Sequence, residues 1–299
     1  MSRIIVIGSS NTDMVIRSKK LPAPGETIIG GTFLMNPGGK GANQAVAAAR
    51  LGGNVIFVTK TGKDIFGSEA LQLFSKEGIN SKYCITDNEN PSGVALINVD
   101  ENGENCIVVA SGSNGTMTPE DINNDIFTTN RDDLFLMQLE IPLETVIYAA
   151  KRAAESGNKV ILNPAPAQNL PDELLRCLYL ITPNETEAEL LTGITVTDND
   201  SAEKASRALI NKGVQNVIIT MGKSGAFLST GAISKVIPGI QVKAIDTTAA
   251  GDVFNGAVAV SVAEGKGLEE AIVFANKAAA ISVTRMGAQA SAPFRKEIT

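Results

Sequence analysis

The 299-residue sequence contains no histidine, no tryptophan and only three cysteines. Without histidine, every mechanism that needs imidazole as a base or as a metal ligand is excluded. Cys84, Cys106 and Cys177 are odd in number and widely spaced, so the sequence predicts neither a disulfide framework nor a zinc site. We therefore expect the cytoplasm as the compartment of this protein.

Long apolar runs and basic runs are also missing. No apolar stretch is long enough to span a bilayer, and the run Ile4 to Ile7 is too short for a signal peptide and has no cleavage site after it. The net charge of −6, without a basic run, argues against nucleic acid or an anionic membrane as the main partner. An anionic nucleotide would have to be held by local features such as helix N-termini, Lys40 and a metal ion.

Strand and helix patterns alternate along most of the chain. Apolar runs typical of strands buried on both faces are Ile4 to Ile7, Val55 to Val58, Leu134 to Leu139, Val160 to Leu162, Tyr179 to Thr182 and Val217 to Thr220. Helical patterns are Gly41 to Arg50, Phe66 to Glu77, Leu143 to Ser156 and Ser201 to Lys212. This order predicts an α/β fold with three layers, in which helices cover both faces of a mostly parallel, Rossmann-like sheet. We expect residues 1–299 to form a single domain, since α/β folds of this size often do.

Two segments break the alternation. Thr27 to Leu34 and Gly93 to Ser111 are rich in strand formers and lack helices, and Asn102-Gly103 is a hairpin signal in the second. They predict a small separate sheet, built from about residues 11–36 and 92–113, that closes over a ligand, pairs with a second copy, or does both. Farther on, Ala226 to Ile245 is predicted as another short β run before the last helices, which include Leu268 to Thr284.

The segment Asp246 to Asp252 carries the strongest chemical signal. Its small residues allow a backbone turn with converging N–H groups at Ala249, Ala250 and Gly251, and the apolar run that follows predicts a helix whose N-terminus favours an anion. Asp252 would then lie beside that anion, where a carboxylate can take a proton from an attacking hydroxyl. The alternative is that Asp252 only caps the helix.

Three further polar segments are candidate binding sites. Gly38-Gly39-Lys40 precedes a helix but fits neither the Walker A nor the G-x-G-x-x-G spacing, since Gln44 stands where the last glycine belongs. It is either a loop that lets backbone approach a sugar or an ordinary tight turn. Asn11 and Asp13 follow the first strand and point the same way in an extended chain, as hydroxyl ligands require, although an Asx turn would look alike.

Asn184 and Glu187 lie three residues apart where a strand gives way to a helix, so they share one face. Mg²⁺ takes oxygen ligands and keeps several waters, which suits such a sparse pair. A helix N-cap is the alternative for the same residues.

These segments together resemble the ribokinase-like family of carbohydrate and nucleoside kinases. Asp246 to Asp252 is similar to its C-terminal signature, with Ala249-Ala250 closest to the ribokinase branch, and Pro37 to Ala45 is similar to its sugar-binding signature. Met137 to Glu140, Asn163 to Ala167 and Thr182 to Glu189 resemble family segments in the same order, so that the similarity runs from Ile4 to Arg295.

The resemblance implies ATP-dependent phosphorylation of D-ribose at O5, with Asp252 as general base and Ala249 to Gly251 as the anion hole. Residues implied to bind the sugar are Asn11, Asp13, Gly39, Lys40, Asn43, Glu140 and Asp252. Residues implied to bind the nucleotide are Asn184, Thr220, Gly222, Gly225, Gly251 and Asn276. Glu187 is implied to hold Mg²⁺ through water, and the residues implied to surround a K⁺ ion are Asp246, Thr248, Ser282, Gly287 and Ser291.

The resemblance also implies a homodimer formed through the small sheet. Another substrate, such as 2-deoxyribose, fructose or a nucleoside, stays open because one hydroxyl contact decides among them. A sugar-binding sensor without catalysis is an alternative of a different class, although sugar binding alone would not require Asp252 with its glycine.

Overall fold

The fold is known from a computed structural model that describes residues 2–127 and 132–298. In chain order its strands and longer helices are β1 (Arg3–Ile7), β2 (Asn11–Arg17), β3 (Thr32–Gly38), α1 (Lys40–Arg50), β4 (Asn54–Val58), β5 (Lys60–Gly62), α2 (Ile65–Lys76), β6 (Ile85–Asp87), β7 (Gly93–Val99), β8 (Asn105–Ala110), β9 (Leu134–Met137), α3 (Leu143–Glu155), β10 (Lys159–Leu162), α4 (Asp172–Leu175), β11 (Leu180–Ile181), α5 (Glu185–Thr192), α6 (Asn199–Asn211), β12 (Asn216–Thr220), β13 (Gly225–Thr230), β14 (Ser234–Pro238), α7 (Ala250–Ala263) and α8 (Leu268–Ser282).

Within the described ranges, the main sheet has eight strands in the order β14-β13-β12-β11-β10-β9-β1-β4. The six strands from β12 to β4 are parallel, whereas β13 runs antiparallel to both β12 and β14. The predicted mostly parallel sheet is confirmed. Two strands are shorter than predicted. Strand β9 ends at Met137 rather than Leu139, and β11 contains only Leu180 and Ile181.

Helices cover both faces of this sheet, as the apolar strands require. Side chains alternate along β1, so Ile4 and Val6 pack in one core with α1, α7 and α8. Ile5 and Ile7 pack in the other core, with α3, α5 and α6. The predicted three-layer architecture is therefore confirmed.

The small sheet stands apart from the main one, in the order β3-β2-β7-β8. Strands β7 and β8 form the predicted hairpin, and the Asp100 carboxylate at their turn accepts hydrogen bonds from the N–H groups of Asn102 and Glu104. The strand predicted from Thr27 is wrong at its start, since β3 begins only at Thr32. Gly30 and Gly31 have φ of 112° and 111°, a conformation that does not continue a strand.

The β run predicted over Ala226 to Ile245 is confirmed only in its first part. Strands β13 and β14 account for residues 225–230 and 234–238, and residues 239–245 form no strand. Pro238 ends β14 because proline has no N–H for a further ladder bond. No helix in the described part of the chain is both long enough and apolar enough to cross a membrane.

Helices α1 and α7 pack closely at the edge of the sheet where the parallel strands end. Gly256 allows this contact, since a Cβ at that position would lie 2.8 Å from the Ala47 Cβ and 2.9 Å from the Gln44 carbonyl oxygen. The approach sets the first turn of α7, with Asp252, against the first turn of α1, with Asn43 and Gln44.

Candidate active site

Helix α7 begins at a turn in a conformation that its sequence does not favour. Ala249, its N-cap residue, has φ 60°, and no other non-glycine residue in the described ranges has a positive φ. A residue with a Cβ pays about 1–2 kcal/mol for this conformation, and such strain persists where the surroundings hold it. The Ala250 N–H donates to the Thr247 carbonyl at 3.2 Å, so one of the three predicted anion donors already has a partner.

Asp252 lies in the first turn of α7 with its carboxylate buried and both oxygens hydrogen-bonded. Gln44 Nε2 donates to Oδ1 at 2.9 Å, and Asn43 Nδ2 donates to Oδ2 at 2.9 Å. Burial raises the pKa of Asp252, while the Lys40 ammonium and the two amide donors act in the opposite direction. A raised pKa suits a carboxylate that must accept a proton near neutral pH.

Lys40, the first residue of α1, lies among four carboxylates from four parts of the fold. Burial acts to lower the pKa of Lys40, but Asp252, Glu140, Glu187 and Asp13 together hold it above its ordinary value. The Lys40 N–H also donates to Glu140 Oε2 at 2.9 Å, and the Ser9 hydroxyl donates to the same oxygen at 2.5 Å. The lysine therefore stays charged at the point where these carboxylates converge.

Asp13 faces this cluster from β2 of the small sheet. Its pKa is raised to about 6, first by burial and then by the charges of Glu140 and Asp252, with Lys40 opposing them. A Cβ on Gly38 would lie 2.3 Å from the Asp13 carboxyl, so Gly38 leaves the space that the carboxyl occupies. The ionised form of Asp13 is thus costly in the folded protein when no ligand is bound.

Asn11 is held by a partner that sequence reasoning missed. Its Oδ1 accepts from Asn114 Nδ2 at 2.8 Å, and Asn114 also bonds both backbone polar groups of Ser10. Gly39, with φ 87°, lies against this segment, where a Cβ would come 2.7 Å from the Asn11 nitrogen. The one signal for Asn114 is its place in a polar turn just after the apolar strand β8.

A cavity of about 220 Å³ opens beside the α7 turn. The sequence-predicted residues that line it are Lys40, Asn184, Glu187, Thr220, Ala249, Ala250, Gly251 and Asp252. Asn184 caps α5, its Oδ1 accepting from the Glu187 N–H at 2.8 Å while Glu187 accepts from the Asn184 N–H at 2.9 Å. The capping alternative is therefore correct for this pair, and the pair also faces the cavity.

A second cavity of about 240 Å³ adjoins the first, because Thr247 and Ala250 line both. Gly222 and Asn276 line it as predicted, and Asn276 Nδ2 donates to the Pro238 carbonyl at 3.0 Å. Gly225 lies outside the lining residues: it starts β13 with φ 102°, where a Cβ would be 2.2 Å from the Ile237 carbonyl oxygen.

Hydrogen bonds connect only some of the residues implied to surround a K⁺ ion. The Asp246 carboxylate accepts from the N–H groups of Thr248 and Gly287, both at 2.9 Å, and so connects the loop before α7 to the loop after α8. The hydroxyls of Ser282 and Ser291 donate instead to carbonyls of their own segments, those of Ala279 and Ala288.

A chain of buried polar side chains, missed at the sequence level, runs beneath Asp252. Its members are Gln138, Gln44, Asn163, Thr182 and Asn255, and Asn163 is joined to Thr182 through the Thr182 backbone carbonyl. It ends where Asn255 Nδ2 donates to the Gly251 carbonyl at 2.8 Å. A sequence signal existed, since Gln138, Asn163 and Thr182 each directly follow a buried parallel strand, at the edge where ligands bind in α/β sheets.

No group of three or more Cys, Asp or Glu side chains in residues 2–127 and 132–298 is placed to hold a metal ion. Burial raises the pKa of the Glu187 carboxyl, with Lys40 opposing, at the wall of the first cavity. A divalent cation there fits only if most of its ligands are waters and phosphate oxygens.

Comparison with known proteins gives a family and full-length relatives. Residues 1–295 match the sequence profile described as pfkB family carbohydrate kinase. The chain is 47% identical to the ribokinase of Haemophilus influenzae, over 98% of this chain and 96% of that protein. It is also 40% identical to a deoxyribokinase of Salmonella typhi, over 97% of this chain and 95% of that protein.

Solved structures agree with these relatives. The ribokinase of Thermotoga maritima superposes with a TM-score of 0.92 at 42% identity, covering 100% of this chain and 98% of that one. The Arabidopsis thaliana ribokinase complexed with ribose and ATP also gives 0.92, at 33% identity, with the same coverage of both chains.

The raised pKa of Asp13 predicts that its ionised carboxylate lowers the free energy of unfolding of the protein. The cost is absent below the unfolded pKa of 3.8, grows as the pH rises, and is complete above the folded pKa of about 6. Asp13→Asn removes the charge but keeps the shape, so we expect it to raise the free energy of unfolding at pH 7.5 by up to about 3 kcal/mol. Urea unfolding at pH 7.5 and pH 4.5 measures this, and the gain should shrink at the lower pH.

The matched control is Asp64→Asn. Burial acts to raise the pKa of Asp64, but hydrogen bonds from Gly67 and Ser92 lower it below its ordinary value. This carboxylate therefore contributes stability above its unfolded pKa, and its replacement should bring no gain at pH 7.5. An Asp13→Asn protein no more stable than wild type at pH 7.5 would contradict the assignment.

Proposed function

The chain belongs to the pfkB family of carbohydrate kinases, and we propose that it transfers the terminal phosphoryl group of ATP to O5 of D-ribose. The products are D-ribose 5-phosphate and ADP. This activity rests on the full-length similarity to ribokinases and on the residues at the candidate site.

The observation that carries the proposal is the position of Asp252. Its buried carboxylate lies at the wall of the cavity that Ala249, Ala250 and Gly251 also line. The side-chain amides of Asn43 and Gln44, on the helix that follows the Gly38-Gly39 loop, donate hydrogen bonds to its two oxygens. Asp252 thus stands between a sugar loop and a phosphate turn, where a general base for hydroxyl attack must be.

The sugar is bound by the polar groups around Lys40. Asp13 and Glu140 accept from hydroxyls, Asn11, Lys40 and Asn43 complete the contacts, and Gly39 lets the backbone approach. Asn43 Oδ1 supports this role, since it is buried and has no partner in the protein, as an acceptor that awaits a hydroxyl would be. Sugar hydroxyls that bond Asp13 favour its ionised form over the neutral one.

The nucleotide lies along the two adjoining cavities. Its base occupies the cavity of Gly222 and Asn276, and its phosphates extend past Asn184 and Thr220 to the N–H groups of Ala249 and Gly251. These groups stabilise charge on the phosphoryl group in transfer. Glu187 would hold Mg²⁺ through water, and the metal would supply positive charge to the phosphates.

A monovalent cation, K⁺, would be held by the loop before α7 and the loop after α8. Asp246 supports this assignment, because its carboxylate joins the two loops that would supply carbonyl oxygens to the ion. A bound ion would supply positive charge that helps to order the turn at Ala249.

The protein forms a homodimer through the small sheet. Register and the two-residue period place Ile16, Phe33, Leu96 and Val108 on one face of it, and each is 43–63% exposed. A second copy of the same face would cover these side chains, and monomeric proteins seldom expose such a patch. The three free cysteines support the cytoplasm as compartment.

A second candidate function is phosphorylation of 2-deoxyribose. The observation in its favour is the 40% identity to a deoxyribokinase, only 7 percentage points below the 47% identity to the Haemophilus ribokinase. One contact to the 2-hydroxyl separates the two substrates.

Asp252→Asn tests the base. Asparagine keeps the shape but cannot take up the proton, and the Asn43 amide can turn so that its unpartnered Oδ1 accepts from the new amide. We expect turnover to fall at least about a hundredfold while calorimetry finds ribose and ATP still bound. A folded variant within about tenfold of wild-type turnover would leave Asp252 as a helix cap.

Wild-type rates on ribose, 2-deoxyribose, fructose and a nucleoside decide among the substrates.

Asp246→Asn tests the cation. Asparagine retains one acceptor for the loop N–H groups but loses the charge, so the K⁺ concentration for half-maximal activation should rise about tenfold or more. The wild type should be activated more by K⁺ than by Na⁺. Equal wild-type rates in K⁺, Na⁺ and a bulky organic cation would contradict the site.

Val108→Lys tests the dimer. A charge on the exposed apolar face cannot be buried without a partner, so we expect light scattering after size exclusion to find a monomer. Ile233→Lys is the control, because Ile233 is 42% exposed at the far edge of the main sheet. Val108→Lys with the same mass as wild type would argue against this interface.

A further inference from the structure

Gln44 uses every hydrogen-bonding atom of its amide beneath the catalytic carboxylate. Its Nε2 donates to Asp252 Oδ1 at 2.9 Å and to Asn163 Oδ1 at 3.0 Å, and its Oε1 accepts from Gln138 Nε2 at 2.6 Å. The side chain is completely buried. Replacing it would leave Asp252 with one fewer donor and nothing to substitute for it.

The direction of these bonds is set by Asp252 in its ionised form. An ionised carboxylate can only accept, so Gln44 must turn its amino group toward Asp252 and its oxygen toward Gln138. Gln138 must then turn its own amino group toward Gln44. Its oxygen is left buried without a partner, at a spot where a Cβ on Gly8 would lie only 2.1 Å away.

That unpartnered oxygen makes plain structural packing a poor explanation. A buried acceptor without a donor costs free energy, and a network selected only for stability would satisfy it. The unpartnered oxygen of Gln138 is explained if the network keeps the Asp252 carboxylate charged and oriented.

We propose, resting on the function proposed above, that Gln44 is a positioning residue that holds Asp252 ionised and aimed at the acceptor hydroxyl, with Gln138 fixing the orientation of the Gln44 amide. Gln44 is not among the residues that line the cavity beside the α7 turn. It acts through the side chains that it bonds, Asp252 above all, and both donors to that carboxylate come from α1, the helix that also carries Lys40.

The acid limb of the rate–pH profile is the readout that separates this role from a structural one. The charged groups that face Asp252 are Lys40 on α1, Glu140 after β9, Glu187 on α5 and Asp13 on β2. None of them is altered by a change at Gln44. Loss of the Gln44 donor therefore raises the pKa of Asp252 against an unchanged background.

The experiment compares Gln44→Met with wild type in single-turnover rates from pH 5.5 to 9.5, with ribose and ATP saturating. Methionine fills the same space without a donor. We expect the midpoint of the acid limb to rise by about one pH unit, the rate at pH 7 to fall by up to about fivefold, and the rates to converge above pH 9. Calorimetric affinities for ribose and ATP should change less than about threefold.

Two further variants keep the outcome decisive. Gln138→Met should shift the midpoint in the same direction by less, and it replaces Gln44→Met if that protein does not fold. Val260→Ala, in the buried part of α7, loosens the helix without touching the network and should leave the midpoint unchanged.

An unshifted midpoint in folded Gln44→Met, or an equal loss of rate at every pH, would overturn the inference. Its failure is distinct from failure of the proposed function. If Asp252→Asn is inactive and Gln44→Met keeps the wild-type midpoint, Asp252 is still the base and only the positioning role is lost.

Discussion

The burial of one carboxylate, that of Asp252, constrains the rest of this structure. A charge nine-tenths or more removed from water is tolerated only where donors and a counter-charge surround it. Asn43 and Gln44 supply the donors and Lys40 the charge, and all three belong to the first turn of α1. Helix α1 must therefore lie against α7, which the small residue Gly256 permits. The loop Gly38-Gly39, which leads into α1, is placed by the same contact.

Lys40 extends this constraint to the small sheet. Asp13, Glu140 and Glu187 come from three other parts of the fold and share the same ammonium group. Burial, and after it the charges of Glu140 and Asp252, raise the pKa of Asp13 to about 6, and Lys40 compensates this only in part. A ligand with several hydroxyls can supply the missing donors, so the site is most stable when it is full. The ionised carboxylate of Asp13 thus lowers the stability of the free protein while it offers acceptors to a ligand, a trade-off that is common at functional sites.

Strong local patterns explain why so much of the fold was predictable. Buried parallel strands are apolar throughout and stand out in the sequence, as β1, β4 and β12 do. Residues 27–31 and 239–245 were mispredicted, because strand-forming composition there is overridden by Gly30, Gly31 and Pro238. Among the site residues, Asp13, Lys40 and Asp252 were identified from motifs, whereas Gln44, Gln138 and Asn114 were not. An amide that binds another side chain leaves only a weak local pattern, such as the place of Gln138 directly after β9.

The sequence by itself determined the layers, the hairpin of the small sheet, the turn before α7 and the types of side chain at the strand ends. These depend on neighbours within a few residues, through periodicity, turn chemistry and helix capping. Only the tertiary structure decided that Gln44 bonds Asp252, 208 residues away along the chain, and that Asn184 caps α5 while facing the cavity. Such contacts depend on how helices and strands pack, and packing is a property of the whole chain rather than of any segment.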